Sequence, residues 1–284
     1  MITNSAFLVV NKPKGWTSFD AVNKIRHLTK VKRVGHLGTL DPMATGVLIV
    51  ALNKATKLFD LMQEKQKTYV ANFLFGTLTD TLDATGKVLE EEKVNINLKQ
   101  IEAVLPKFIG KINQVPPKYS AKSVNGTRAY DLARAGKEFE LSAKQVEIFN
   151  LKVLGFKNNL LKLEICCGSG TYIRSLGRDI AERLGTVATM TELIRTKIGK
   201  FDLSDTINLD DLTIEQIEAN LKSVDEVLGY PAINLTEQDE FKLLNGQTIE
   251  ICKDDGYYLL RSGKTAQAVV KISKNMAKMA IFLG

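Results

Sequence analysis

The sequence predicts an α+β fold built around a mixed sheet, ending in a small β-rich module. Strand-like and helix-like segments are interspersed without the regular βαβ rhythm of a parallel sheet. A chain of 284 residues can hold one large core plus a small domain. Gly229-Tyr230-Pro231 marks the best boundary, giving domains over 1–229 and 230–284.

Phe7–Val10 reads as a buried strand closed by the turn-forming run Lys12-Pro13-Lys14-Gly15. Thr17 or Ser18 can cap a helix through Asp20, Val22, Ile25 and Leu28, with an acid in its first turn. Gly35–Gly46 is expected to be loop, with three glycines and Pro42, and Val47–Leu52 a buried strand. Lys67–Gly76 alternates, putting Tyr69, Ala71, Phe73 and Phe75 on one face. Leu98–Leu105 is helical, and Pro106 stops or kinks it. VEIFNLKVLGF and LLKLEICC read as two strands. The Gly168–Thr171 turn then opens a helix carrying Ile173, Leu176, Ile180 and Leu184. Past Pro231 come a short helix over Glu237–Leu244 and strand-like pieces at 248–252, 257–261, 266–272 and 277–283.

No stretch approaches the roughly 18 apolar residues that span a bilayer, and the N-terminus lacks the basic region of a signal peptide. Cys166, Cys167 and Cys252 form no disulfide framework, so a reducing cytoplasm is expected. With only His27 and His36 besides, the ligand supply argues against zinc. The net charge is +7, unevenly spread. Residues 1–40 carry seven basic side chains against Asp20 alone. Residues 261–284 carry Arg261, Lys264, Lys271, Lys274 and Lys278 with no acid. Lys118, Lys122, Arg128, Arg134 and Lys137 cluster against Asp131. Three basic segments fit a polyanion footprint, although charge runs also serve as solvated surface.

Asp41 precedes a proline between loop glycines, a position open to a ligand's close approach. A carboxylate there can act as nucleophile, base or transition-state stabiliser, and Asp-Pro is equally a common turn. His36 and Tyr69 read singly as structural residues. Tyr172 and Arg174 stand at a helix start suited to anions; the alternative for Arg174 is a surface pairing with Asp179 or Glu182.

Four segments carry a resemblance. NKPKGWTSFDAVNKIR (Asn11–Arg26), GHLGTLDPMATGVL (Gly35–Leu48), VPPKYSAKSVNGTRAYDLARAG (Val115–Gly136) and GSGTYIRSLGRDI (Gly168–Ile180) occur in that order, followed by LIRTKIGKF (Leu193–Phe201). Over nearly its whole length the sequence resembles the bacterial tRNA pseudouridine-55 synthase family, of the TruB type. The resemblance implies the pseudouridine synthase fold, a mixed and largely antiparallel central sheet flanked by helices and loops. It also implies a PUA-like RNA-binding domain after Pro231 and an RNA-gripping insertion over about 115–145. The implied activity converts uridine 55 in the T arm of tRNA to pseudouridine, with base flipping, no cofactor and no metal. Asp41 is the implied essential carboxylate, Arg174 its partner and Tyr69 the residue stacked on the base. His36 would fill the vacated stack, Tyr172 and Leu193 would line the uracil pocket, and Lys12 would support the loop or a phosphate. Lys118, Lys122, Arg128 and Arg134 would hold RNA backbone. The expected enzyme is a cytoplasmic monomer without an obligatory protein partner. One departure stands out: the family usually has lysine where this chain has Ser123, with Lys122 one place earlier.

Overall fold

The computed structural model of the protein describes residues 2–62, 66–263 and 265–284, so Lys264 of the basic tail lies outside the described residues. The chain forms two compact units. One comprises 1–42, 47–63 and 204–284, the other 43–46 and 64–203.

In the first unit, strand β1 (Ala6–Lys12) runs beside β3 (Thr45–Leu52) and pairs in parallel with Ile207–Asn208. Strand β2 (Val34–Leu37) pairs antiparallel with β3, from Val34 opposite Leu52 to Leu37 opposite Ile49. The expected loop over 35–46 is thus strand at both ends; its backbone donors find partners in β3, which glycine content alone did not reveal. β1 also extends through Lys12, where the sequence suggested a turn. Helix α1 (Ser18–Thr29) starts at Thr17 with a reciprocal capping box to Asp20, and Lys30 closes it in the left-handed region. Its apolar stripe, Ala21, Val22 and Ile25, packs on Leu8, Val10, Leu48, Val50 and Leu52. The other face of β3, Val47, Ile49 and Ala51, is buried as well, which explains its unbroken apolar run.

The same unit holds a five-stranded sheet, in the order Ala232–Ile233, Gly256–Ser262, Thr265–Ser273, Met276–Phe282, Ile249–Glu250. With the helix Glu237–Leu244 it encloses its own core of Ile233, Leu243, Ile249, Leu260, Val270 and Ile272.

The second unit is built on β4 (Lys67–Phe75), whose residues alternate buried and half-buried along its length. β4 lies between Leu160–Cys167 and Ala188–Ile198, antiparallel to both; Lys144–Lys157 and Gly110–Gln114 continue the sheet beyond Leu160–Cys167. Ala188–Ile198, unpredicted by the sequence, pairs with β4 from Ala188 opposite Phe75 to Ile198 opposite Lys67, with two register shifts on the way. The helix Ile173–Arg183 packs on this sheet through Gly177, where a Cβ would sit 2.3 Å from ring carbons of Phe73. Leu98–Val104 forms the expected helix, tightening at Leu105–Phe108 into a 3-10 turn that includes Pro106. The fold is mixed α+β, and no helix among the described residues is long and apolar enough to cross a membrane.

Candidate active site

Asp41 is half-buried, and the residues on either side of it are fixed by the β1–α1 turn. The Leu40 amide donates to Ser18 Oγ at 2.9 Å, and the Ser18 hydroxyl returns a bond to the Leu40 carbonyl at 3.3 Å. The Pro42 carbonyl accepts from the Gly15 amide at 2.7 Å. Lys12, fully buried, directs its ammonium to the carbonyls of Trp16 at 2.6 Å, Pro13 at 2.9 Å and Pro42 at 3.5 Å. A phosphate contact needs an accessible ammonium, so of its two expected roles Lys12 has the geometry for loop support. His36 is half-buried on β2, opposite Val50.

In the second unit, Tyr69 and Leu193 are both buried on neighbouring strands, with Leu193 opposite Ala71 and Tyr69 opposite Arg195. Directly opposed residues share a face, so Lys67, Tyr69, Ala71, Leu193 and Phe73 line the side of the sheet on which the helix Ile173–Arg183 packs. Lys67 donates to Ser169 Oγ at 2.7 Å, tying β4 to the turn that leads to Tyr172. Burial, with the like charge of Arg195, holds the Lys67 ammonium below its ordinary range. Burial pushes the neighbouring Cys167 thiol up to about 11, so it is no nucleophile at neutral pH.

Tyr172 is the N-cap residue of the helix, and its amide donates to Gln114 Oε1 at 2.8 Å. Arg174 is buried, against the alternative of a surface pairing. Its guanidinium meets Asp83 Oδ2 at 3.3 Å and donates to the carbonyls of Thr81 at 2.9 Å and Tyr119 at 3.1 Å. Arg178, one turn on, takes Asp179 and Glu182 instead.

The insertion follows the strand Gly110–Gln114 and is anchored to the same helix: the Val115 carbonyl accepts from Ser175 Oγ at 2.8 Å and from Arg178 at 3.1 Å. Its tip is a hairpin, Ser123–Val124 against Thr127–Arg128, turned by Asn125 and Gly126 at φ 50° and 84°. The helix Ala129–Arg134 follows. Lys118, Arg128 and Arg134 are exposed and Lys122 half-buried; Arg134 lies 5.6 Å from the Tyr130 ring centre. Ser123 pairs directly with Arg128, so a cation stands across the ladder from the position where lysine is usual.

Among the described residues no group of three or more His, Cys, Asp or Glu could hold a metal ion. The TruB family pseudouridylate synthase N-terminal domain matches residues 26–173, more than half of the chain, and the tRNA pseudouridylate synthase B C-terminal domain matches 174–229. The chain belongs to the TruB family of pseudouridylate synthases. Within it, the tRNA pseudouridine synthase B of Fusobacterium nucleatum is 42% identical over 248 residues, 86% of each chain. That of Acaryochloris marina is 43% identical over 256 residues, 87% of this chain and 88% of the relative. The fold is shared with a chain from an H/ACA ribonucleoprotein bound to a substrate RNA containing 2′-deoxyuridine, with a TM-score of 0.71 at 21% identity over 98% of this chain and 84% of that one. An archaeal box H/ACA ribonucleoprotein protein gives the same TM-score over 98% and 86%.

Two buried residues of this TruB family chain escaped the sequence reading, Asp83 and Gln114. Asp83 Oδ1 accepts from the Thr85 amide at 3.0 Å and from the hydroxyls of Thr81 at 2.9 Å and Thr85 at 2.5 Å. The run Thr79–Gly86 signals a turn by composition, but nothing local announces that one of its acids meets Arg174.

Proposed function

We propose that this chain isomerises uridine 55 in the T arm of tRNA to pseudouridine without a cofactor. The observation that carries the reading is the likeness, above 40% identity over most of both chains, to relatives named tRNA pseudouridine synthase B. The reaction breaks the C1′–N1 bond, turns the base and rejoins it through C5. One proton leaves C5 and one arrives at N1, so substrate and product are isomers.

Asp41 is the carboxylate proposed to drive the first step, by attack on ribose or base or by taking a ribose proton. Its loop, held through Leu40 and Pro42, suits a group whose aim matters. Arg174 is proposed to pair with it, an opposite charge that keeps an acid ionised. The contacts of Arg174 to Asp83, Thr81 and Tyr119 leave it little rotamer freedom. The target base must leave its stack, at a cost of about a few kcal/mol. In this reading His36 occupies the vacated place, Tyr69 stacks on the flipped uracil, and Tyr172 with Leu193 borders it. Lys118, Lys122, Arg128 and Arg134 hold phosphates, with Arg128 supplying the charge that Ser123 lacks. Residues 230–284 form a PUA-like RNA-binding domain on a catalytic domain of 1–229, and the enzyme acts as a cytoplasmic monomer.

Asp41→Asn tests the chemistry, with tritium release from C5-labelled tRNA as readout. The variant should bind tRNA like the parent and release none. Turnover at the parental rate would remove Asp41 from its role, and pseudouridine mapped to another position would remove the T-arm assignment.

A further inference from the structure

A cleft of about 750 Å³ in the first unit brings the N-terminal basic segment against the C-terminal sheet. Lys32 and Arg33 come from the stretch joining α1 to β2, Asn53 and Lys54 follow β3, and Gln267 belongs to the strand Thr265–Ser273. No acidic side chain lines it among the described residues. Lys54 is engaged, contacting the Gly284 carbonyl and lying 4.6 Å from the Phe282 ring centre. Lys32 and Arg33 are exposed and form no ion pair among the described residues. The cleft has a fixed floor. Asn53, in the left-handed region at φ 57°, donates its side-chain amide to the carbonyls of Ile2 and Thr3 at 3.3 Å and Asn4 at 2.9 Å. The hydroxyls of Ser5, Ser262 and Thr265 add hydrogen-bond donors to the wall.

Its distance from Asp41 is set by β1. Pro42, next to Asp41, is bound at the Lys12 end of that strand, and Ser5 lines the cleft at the other end. Seven residues at roughly 3.3 Å each separate the two by about 23 Å. Along an RNA backbone that span is several nucleotide steps. The flipped nucleotide cannot reach the cleft, but backbone further along the same RNA can.

We propose that this cleft is a second RNA-backbone site, in which Lys32 and Arg33 hold phosphates of the tRNA body outside the T loop. Paired cations with no acidic side chain beside them, walled by hydroxyls, are the chemistry that binds a ribose-phosphate chain without reading its bases. The proposal rests on the reading of tRNA as substrate.

The test is Lys32→Ser combined with Arg33→Ser in the full chain, with binding measured to whole tRNA and to a short T-loop hairpin. Both side chains are exposed, so the thermal melt should match the parent's. Affinity for whole tRNA should fall on the order of tenfold, and the plot of log K against log salt should lose about 1 to 2 of its slope. Hairpin affinity, and turnover at saturating hairpin, should stay unchanged. The charge-conserving exchange Lys32→Arg with Arg33→Lys should restore whole-tRNA binding. Unchanged affinity for whole tRNA overturns the proposal, as does an equal loss on both RNAs, which would make the cleft part of the T-arm grip. Failure of the parent enzyme to modify the hairpin would count against the T-arm reading, while the comparison on whole tRNA still decides the cleft.

Discussion

Arg174 illustrates how a charge is kept in the interior at the residue scale. Its guanidinium meets the Asp83 carboxylate and donates to the carbonyls of Thr81 and Tyr119, so the fold fixes its orientation. Asp83 is in turn held by Thr81 and Thr85, so the acid cannot swing away to follow a displaced arginine. Removing one partner of such a pair leaves an uncompensated charge, which costs more than the pair contributes. Asp83→Ala should therefore lower stability by about 3 kcal/mol in urea unfolding, and should reduce tritium release at saturating tRNA. A variant as stable and active as the parent would mean that the other partners of Arg174 hold it well enough without Asp83.

At the scale of elements, the most informative device is the entry to α1. Thr17 accepts from the Asp20 amide at 3.1 Å, and the Asp20 carboxylate accepts from the Thr17 amide at 2.7 Å, which orients the turn that grips both flanks of Asp41. Thr17→Ala should cost about 1 kcal/mol. The bonds from Thr17 hold the Asp20 carboxyl below its usual 3.8. A carboxyl with a depressed folded pKa gives stability that is complete above 3.8 and is lost as pH falls from there through the folded value. The difference in urea midpoint between the parent and Asp20→Asn should thus be largest at neutral pH and shrink below pH 3.8. A difference independent of pH would show that the box does not depend on the charge.

Legibility in the sequence also differs by element. β4 could be read because Tyr69, Ala71, Phe73 and Phe75 alternate with half-buried neighbours. Ala188–Ile198 could not, since Thr189, Thr191, Glu192, Arg195 and Thr196 interrupt its apolar residues; its strand character comes from pairing with β4. β2 was hidden for a related reason, its Gly35 and His36 having no strand propensity of their own. Gly35 is crowded instead, because a Cβ there would lie 3.1 Å from the Phe59 ring, which would have to give way by a few tenths of an ångström.

At the scale of the whole molecule, the charge of +7 matters more for where it stands than for its size. Lys12, although basic, is buried and serves the loop, and Arg261 is paired with Asp225 at 2.5 Å. The cations left for RNA are those of the insertion and the exposed lysines and arginines of the two ends. With several phosphates held, the slope of log K against log salt should be about −0.7 to −0.9 per contact. Binding that stays level between low and moderate salt would contradict the electrostatic grip.

Legible along the chain were the family, the Asp41 segment, the alternation of β4, a cap for α1 at Thr17 or Ser18 and the three basic segments. Each of these is a property of neighbours along the chain, where spacing and residue type carry the physics. Folding alone brings Asp83 to Arg174 and Gln114 to Tyr172, buries Lys12, and sets Lys32 and Arg33 on a cleft closed by the last strands. These pairs are brought together by strand register and helix packing, and a buried charge finds its partner through the fold rather than along the sequence.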